Sequence, residues 1–389
     1  MNRLLVMPVV SVAMLGLGGC GLFGGGDDEG VEQPAELTAF DSSMRVRRVW
    51  RSRVGDATER LRLGLRPATD GTRIFAGTHD GNAVALDAES GRTQWDVETG
   101  LPLAAGPGLG AGLLVFGTDD GDLVALEAAD GSERWRVSVG SEVLAPPAVT
   151  ASVVVYRSVD GRLRGASSED GTPVWSVEQS LPPLTLRGNT APYVAGQLVI
   201  SGFANGRLGA YDVSSGERIW DLAVANPTGR NELERLVDIS AGLQVVGNDV
   251  YTVGYQGRAL GVDLRNGIVI WQQDMSSHAG LGVDLNNVYV TNDVDAVVAL
   301  DRQAGTPIWS QEALRLRDVT APTRHGQAVV VGDFEGYLHW LDPNDGRFLA
   351  RTRAANDRIT SAPVVSGLNV YVQADDGSVA AFQVVGESG

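Results

Sequence analysis

The 389-residue sequence contains a single cysteine, Cys20, and no lysine, so every residue in its basic count is arginine. One cysteine cannot form a disulfide within the chain, and the fold must therefore rely on packing alone. The formal net charge of −17 argues against nucleic acid as a partner, because the phosphates would be repelled. The acidic, lysine-free composition fits either a genomic base bias or a saline habitat.

The apolar stretch Leu4–Leu17 is shorter than the roughly 20 residues that a membrane-spanning helix needs. It follows Arg3 and leads into small residues, a pattern that predicts a secretory signal peptide over residues 1–19. The sequence Leu17-Gly18-Gly19-Cys20 resembles the bacterial lipoprotein box. This resemblance implies that Cys20 becomes the first residue of the mature protein and is lipidated, with palmitate among its acyl chains.

Residues 20–43 are predicted to be the lipidated cysteine and a flexible tether, because Gly21–Gly30 is rich in glycine and aspartate. Gly21 stands where an aspartate is the usual signal for retention in the inner membrane. The resemblance to bacterial lipoproteins therefore implies residence in the outer membrane, with the protein lipid-anchored and facing the periplasm.

The rest of the chain contains a repeat of about forty residues. A polar turn ending in glycine is followed fourteen residues later by tryptophan; Asp295 replaces the glycine once, and Leu349 is assigned to the seventh tryptophan position. This period with short strand-like runs is typical of propeller blades. The turn glycines are Gly81, Gly121, Gly161, Gly206, Gly257 and Gly336, and the tryptophans are Trp95, Trp135, Trp175, Trp220, Trp271 and Trp309.

Within one unit, Leu113–Phe116, Leu123–Leu126 and Arg134–Val137 are apolar or alternating runs that predict strands separated by Asp-Gly turns. Prolines recur fourteen residues before the turn glycines and add a fourth strand to each unit. Proline fits the first residue of a strand because it has no N–H to donate to a ladder. These prolines are Pro67, Pro107, Pro147, Pro192, Pro322 and Pro363.

An eighth unit begins at Gly377 but stops before its tryptophan strand, whereas Arg47–Arg51 is a tryptophan strand with no unit before it. Pairing of Val46–Arg53 with Val379–Val384 completes the last blade and removes two open sheet edges. We therefore predict an all-β fold: an eight-bladed β-propeller of four-stranded antiparallel blades, closed by the N-terminal strand and spanning residues 44–386.

The sequence contains no recognisable catalytic or metal-binding constellation. Its Asp-Gly pairs fall at hairpin turns, where this pair is expected in any case. The four histidines are scattered along the repeat, and no pair has the spacing of metal ligands. They are His79, His278, His325 and His339. We predict no enzyme activity, no cofactor, no metal and no small-molecule substrate.

The repeat nevertheless resembles the tryptophan-docking motif of pyrroloquinoline-quinone dehydrogenases, with good copies at Ala85–Trp95 and Ala299–Trp309. Those enzymes use eight such blades. Many of them place a disulfide of adjacent cysteines against the cofactor, which this chain cannot form. A quinoprotein dehydrogenase and a periplasmic polymer-binding propeller are therefore kept as alternatives.

Two units are longer than the others. The interval from Trp175 to Gly206 has five residues more than the interval from Trp135 to Gly161, and that from Trp220 to Gly257 has eleven more. Both insertions follow a tryptophan strand, so they emerge on one face of the propeller in neighbouring blades. Such clustered insertions commonly mark a binding surface.

The inserted sequences suit a protein partner. Leu181–Gly188 places leucines beside prolines in a stiff apolar projection, with Arg187 adding a charged fork. Asn231–Asp238 is compatible either with a helical turn or with a solvated charged loop. Leu184 and Leu186 alternate in an extended segment, so both can enter one groove with Arg187 at its edge.

Leu184–Gly188, Glu234–Asp238 and Val331–Trp340 resemble the BamB family, the propeller lipoproteins of the outer-membrane β-barrel assembly machinery. The resemblance extends over the whole chain. It implies a non-enzymatic scaffold that binds a periplasmic POTRA domain of BamA, and through BamA the rest of the complex, and assists folding and insertion of β-barrel proteins.

The resemblance also implies the contact residues. Leu184, Leu186 and Arg187 of the first loop match the family's contact residues, and so does Asp238 of the second loop. Asp238 either faces a cation on the partner or holds Arg187 or Arg235 in place, so Arg235 is included in the predicted BamA site. The family usually has a second aspartate where this sequence has Ser240.

Overall fold

The computed structural model describes residues 32–58, 63–186, 190–227, 230–239 and 242–385. The predicted signal peptide and Cys20 lie outside these residues, and so do Arg187 and Ser240. The described residues from Pro34 onward belong to one compact unit, and all of their regular secondary structure is β-strand. None of the described residues belongs to a helix long and apolar enough to cross a membrane.

Eight sheets, each built on four antiparallel strands, form the blades of a ring. From the innermost to the outermost strand, blade 1 contains Ala68–Thr69, Arg73–Gly77, Asn82–Asp87 and Thr93–Glu98, and blade 2 contains Leu103–Gly110, Leu113–Thr118, Asp122–Glu127 and Glu133–Ser138. Blade 3 contains Ala148–Val149, Val153–Arg157, Arg162–Ser167 and Pro173–Glu178, and blade 4 contains Tyr193–Ala195, Leu198–Gly202, Arg207–Asp212 and Arg218–Ala223.

Blade 5 contains Leu243–Val246, Asp249–Val253, Arg258–Asp263 and Val269–Asp274, and blade 6 contains Gly280–Val283, Asn287–Thr291, Val297–Asp301 and Pro307–Gln311. Blade 7 contains Thr323–His325, Ala328–Gly332, Tyr337–Leu341 and Phe348–Arg353, and blade 8 contains Val364–Ser366, Asn369–Gln373, Ser378–Val385 and Arg45–Arg53. The prediction of eight blades is confirmed.

The N-terminal strand closes the ring as predicted. Arg45–Arg53 pairs antiparallel with Ser378–Val385, from Arg45 opposite Val385 to Arg53 opposite Ser378, with one bulge on the way. The outermost strand of blade 8 therefore comes from the opposite end of the propeller sequence, and this pairing ties the two ends together.

The core lies between stacked blades. The third strand of blade 1, Asn82–Asp87, is buried along four consecutive residues, because neighbouring blades cover both of its faces. The outermost strand, Thr93–Glu98, alternates between exposed and partly buried residues because it borders solvent. The same contrast recurs around the ring and accounts for the apolar runs and alternating runs of the repeat.

The repeated tryptophans join each blade to the next. Trp135 donates its indole N–H to the carbonyl of Ser168 over 3.0 Å, and six equivalent bonds of 2.8–3.2 Å start at Trp50, Trp95, Trp175, Trp220, Trp271 and Trp309. Gly171 lies against the Trp135 ring at a φ of +75°. A Cβ there would come within 2.8 Å of the ring, so glycine is required both for the turn and for the docked indole.

Blade 7 departs from this pattern, and the assignment of Leu349 to the tryptophan position is wrong. Ala350 occupies that position, opposite Trp340 on the third strand. Elsewhere the tryptophan lies on the outermost strand opposite a small residue, as in Ala125 opposite Trp135. The large and small side chains are exchanged across the strand pair, and Trp340 packs against Phe382 of blade 8.

Two details near the axis also differ from expectation. Most of the repeated prolines stand one residue before the innermost strand, whereas Pro107 lies inside Leu103–Gly110 after a cis peptide bond. Blade 2 has a fifth strand, because Gly64–Leu65 pairs in parallel with Leu103–Gly110 on its axial side.

The segment just before the first strand packs against blade 7. The rings of Phe40 and Phe348 stack with centroids 5.3 Å apart, and the N–H groups of Ser43 and Met44 donate to the carbonyl of Leu349. Residues 20–43 were expected to form a flexible tether. In the structure, apolar residues near its end, such as Leu37 and Phe40, pack against the propeller.

Candidate protein-binding site

The two insertions form loops on one face of the ring. The first inserted loop, residues 179–192, joins the outermost strand of blade 3 to the innermost strand of blade 4, and the second inserted loop, residues 224–242, joins blade 4 to blade 5. Strand direction alternates within a blade, so these loops share a face with the hairpin turns between second and third strands. Val224 N–H donates to the Gly206 carbonyl in such a turn. We call this side the loop face.

The described part of the first inserted loop exposes apolar side chains. Leu181 is 49 % exposed and Leu184 is 37 % exposed, whereas Leu186 is partly buried. Residues 187–189 lie outside the described residues, so the prediction for Arg187 stays a prediction. The loop is described again from Thr190, whose hydroxyl donates to the carbonyl of Ile239 in the second inserted loop over 2.5 Å.

The second inserted loop contains an ordered turn, which is one of the two forms that its sequence allowed. The Asn231 side chain accepts the N–H of Glu234 at 2.9 Å, while its own amide donates to the Glu234 carboxylate at 2.8 Å. Arg235 N–H donates to the Asn231 carbonyl, which closes the turn. Leu233 is 69 % exposed at its tip, and the Arg235 side chain is exposed as well.

Asp238 lies at the base of this loop and is fully buried. A guanidinium nitrogen of Arg157, at the end of a blade 3 strand, lies 3.9 Å from its carboxylate. The Asp238 carbonyl accepts the N–H of Tyr255 in blade 5 at 2.8 Å. The structure thus brings Asp238 to the neighbouring blades and not to the exposed turn that carries Leu233.

Arg157 is the residue that sequence reasoning missed. Its side chain is buried, its guanidinium lies 5.9 Å from the ring centroid of Phe203 in blade 4, and it shares a small cavity with Thr185 of the first inserted loop. Burial lowers the pKa of Arg157, and the nearby Asp238 opposes that shift. The one signal in the sequence is an arginine that ends the otherwise apolar run Val153–Tyr156.

A buried hydrogen-bond network around His339 lies in blade 7, away from the two inserted loops. His339 accepts a hydrogen bond at Nδ1 from Arg351 and donates from Nε2 to Asp333, and burial lowers its pKa. Arg351 and Arg317 also donate to the carbonyls of Thr38 and Ala35, which fastens the N-terminal segment. Within the described ranges, no group of histidine and carboxylate side chains is arranged to hold a metal ion.

Comparisons with known proteins agree with this architecture. A family model described as "Outer membrane protein assembly factor BamB" matches residues 33–100, 79–311 and 295–387. The outer membrane protein assembly factor BamB of Pseudomonas aeruginosa is 46 % identical over 351 residues, which cover 90 % of this chain and 92 % of the relative. A crystal structure of BamB from Moraxella catarrhalis superposes with a TM-score of 0.80 at 27 % identity, covering 87 % of this chain and all of that one.

The fold and the paired insertions define an eight-bladed propeller of tryptophan-docking repeats with two inserted loops on one face. A quinohemoprotein alcohol dehydrogenase from Pseudomonas putida has the same fold, with a TM-score of 0.70 over 90 % of this chain and 77 % of its own, but only 12 % identity. That likeness concerns the scaffold alone. The chain belongs to the BamB family of outer membrane protein assembly factors.

Proposed function

We propose that the protein is a non-enzymatic scaffold of outer membrane protein assembly that binds a POTRA domain of BamA through its loop face. Family membership supports the assembly role. The observation that carries the contact site is the exposure of Leu181, Leu184 and Leu233 on two adjacent loops of the same face. Exposed apolar residues clustered in this way mark interaction surfaces.

The first inserted loop supplies the apolar anchors in this proposal. Leu184 and Leu186 enter a groove on the POTRA domain, and Arg187 forms charge-assisted hydrogen bonds at its rim. Truncating a buried interface anchor costs about 2 kcal/mol or more, which corresponds to a roughly thirtyfold loss of affinity.

The two charged residues of the second inserted loop take different roles. Arg235 is exposed, and in this proposal its guanidinium faces an acidic group of the partner. Asp238 is buried beside Arg157, so its carboxylate acts by holding the loop instead of touching the partner. Loss of Asp238 is then expected to weaken binding indirectly, through the position of Leu233 and Arg235.

The binding assay uses the full chain and a fragment of BamA that contains its POTRA domains. We expect the Leu184→Ala/Leu186→Ala variant to bind at least about thirtyfold more weakly with little change in melting temperature. The matched control is Leu285→Ala, because Leu285 is 78 % exposed but lies in a turn on the opposite face. Wild-type affinity in the double variant would refute the loop site, and absence of binding by the wild-type protein would refute the partner.

The proposed anchor is tested separately. Lipidation of Cys20, followed by the linker of residues 20–43, holds the propeller at the periplasmic side of the outer membrane in this proposal. A Cys20→Ser variant, expressed in cells that lack BamA, is expected in the soluble periplasmic fraction. Persistent attachment of that variant to membranes would contradict the anchor.

A further inference from the structure

An axial channel runs between the innermost strands of the blades. Its wall contains mainly proline, alanine and leucine, together with a few hydroxyl and amide side chains such as Thr323, Ser361 and Gln244. Among the described residues that line this channel, Arg66 is the single charged one, and none is a carboxylate. The charge of this lining is therefore opposite in sign to that of the whole chain, whose formal net charge is −17.

The Arg66 guanidinium makes no hydrogen bond or ion pair with any described residue, although its backbone N–H donates to the Gly106 carbonyl at 3.1 Å. Arginines nearby in the sequence behave differently: Arg51 pairs with Asp376 at 2.5 Å, and Arg73 pairs with Asp70 at 2.8 Å. Arg66 remains open to solvent inside the channel, while the surrounding wall lowers its pKa.

The extra strand of blade 2 positions Arg66 close to the propeller axis. The extra strand Gly64–Leu65 adds to the inner edge of blade 2, and Arg66 follows it directly. Gly64 passes so close to the Leu144 carbonyl that an added Cβ would lie 2.2 Å from its oxygen. The backbone before Arg66 is therefore fixed on both sides, and within the described part of the chain the extra strand has no counterpart in the other seven blades.

We propose that the channel binds an anionic group, a carboxylate or a phosphate, with Arg66 as its charged partner and the Ser361 hydroxyl and the Gln244 amide as further donors. A guanidinium that is open to solvent in the channel and has no partner among the described residues can form a bidentate, charge-assisted pair with such a group. The apolar wall suits a ligand with an apolar body, since few polar groups would lose water without compensation. Asp375 lies near the loop-face end of the channel, where its carboxylate accepts a hydrogen bond from the Thr360 hydroxyl at 3.0 Å and lies 3.8 Å from the Arg358 guanidinium.

The experiment titrates the purified full chain by calorimetry with three probes: inorganic phosphate, N-acetyl-tetraalanine with a free carboxylate, and the same peptide as its amide. We expect one saturable site for at least one of the two anions. The Arg66→Gln variant is expected to bind that anion about tenfold more weakly or worse, because one charged hydrogen-bonding partner is removed. Arg92→Gln removes the same charge from an exposed turn and is the matched control.

The outcomes separate the sources of the anion. Binding of the free peptide but not its amide assigns a polypeptide carboxylate, and binding of phosphate alone assigns a phosphate group. The proposal is overturned if neither anion saturates, or if Arg66→Gln binds as well as the wild type. Equal losses in Arg66→Gln and Arg92→Gln would also overturn it, because they would reflect the net charge of the chain and not a site in the channel.

Discussion

Replacement of Arg157 by methionine should reveal whether the two inserted loops share one buried support. Methionine keeps an unbranched side chain against Phe203 but removes the guanidinium that lies 3.9 Å from the Asp238 carboxylate. The second change, Asp238→Asn, removes the negative charge instead. Together the two substitutions form a double-mutant cycle on a pair whose members are both buried.

The structure sets the expected magnitude. Breaking a buried ion pair by removing one partner typically costs about 3–5 kcal/mol. The contact is at the long end of the ion-pair range at 3.9 Å, so we expect about 2–3 kcal/mol for Arg157→Met. The double variant should be less destabilised than the sum of the single variants by about 1–2 kcal/mol, because each single change leaves the opposite charge behind.

Chemical denaturation of the four proteins measures this coupling. The control is Arg162→Met, which removes an arginine that is 41 % exposed from its pair with Glu178 and should cost less than about 1 kcal/mol. Hydrogen exchange should also quicken in residues 179–186 and 230–239 of the Arg157→Met variant. Additivity of the two single changes within about 0.3 kcal/mol, with unchanged exchange in both loops, would refute a shared support.

Two further predictions concern the ring itself. Trp135→Phe removes the indole donor of the Ser168 carbonyl, and equilibrium unfolding should show a loss of about 1–3 kcal/mol while the blade count is kept. Burial raises the pKa of Asp375 from its ordinary 3.8 to about 6, so the folded state holds the proton more tightly than the unfolded state. The unfolding free energy should therefore fall by about 2 kcal/mol between pH 4 and pH 6, and Asp375→Asn should flatten that fall; an unaltered pH profile in this variant would contradict the assignment.

The blade count was predictable because the repeat pairs two features that need each other. Each indole needs a glycine in the turn before the outermost strand of the next blade, as Trp135 needs Gly171, so each tryptophan implies a further blade at the same spacing. This glycine differs from the turn glycine counted in the repeat, such as Gly161, which lies between the second and third strands. The closing strand was predictable for a similar reason. Trp50 carries the same indole contact, to the Ala88 carbonyl of blade 1, without a unit of its own before it.

The exchange in blade 7 could not be read from spacing. Trp340 and Ala350 face each other across a strand pair, so their combined volume matches that of Ala125 and Trp135. Packing constrains this total and not the strand that carries the large side chain. The fourteen-residue spacing from Gly336 leads to Ala350, so the assignment of Leu349 stopped one residue short of the position that the repeat itself indicates.

Short or non-local features near the candidate sites were also beyond the sequence. The extra strand of blade 2 is only two residues long and has no periodicity. Arg157 and Asp238 belong to different units and meet only when blades 3 and 4 and the second inserted loop come together. Exposure of Leu184 was foreseen from its position in an insertion, whereas burial of Asp238 required the tertiary contacts.

The ring and the tips of the inserted loops contribute differently to stability and to partner binding. Stability comes mainly from contacts between neighbouring blades, as in other repeat proteins, so the tips of the inserted loops carry little of it. Leu184 lies at such a tip, whereas Asp238 and Thr190 connect the loop bases to the ring and to each other. Changes at the tip should therefore reduce partner binding alone. Changes at the base should reduce binding and stability together, and this contrast distinguishes a contact residue from one that supports the site.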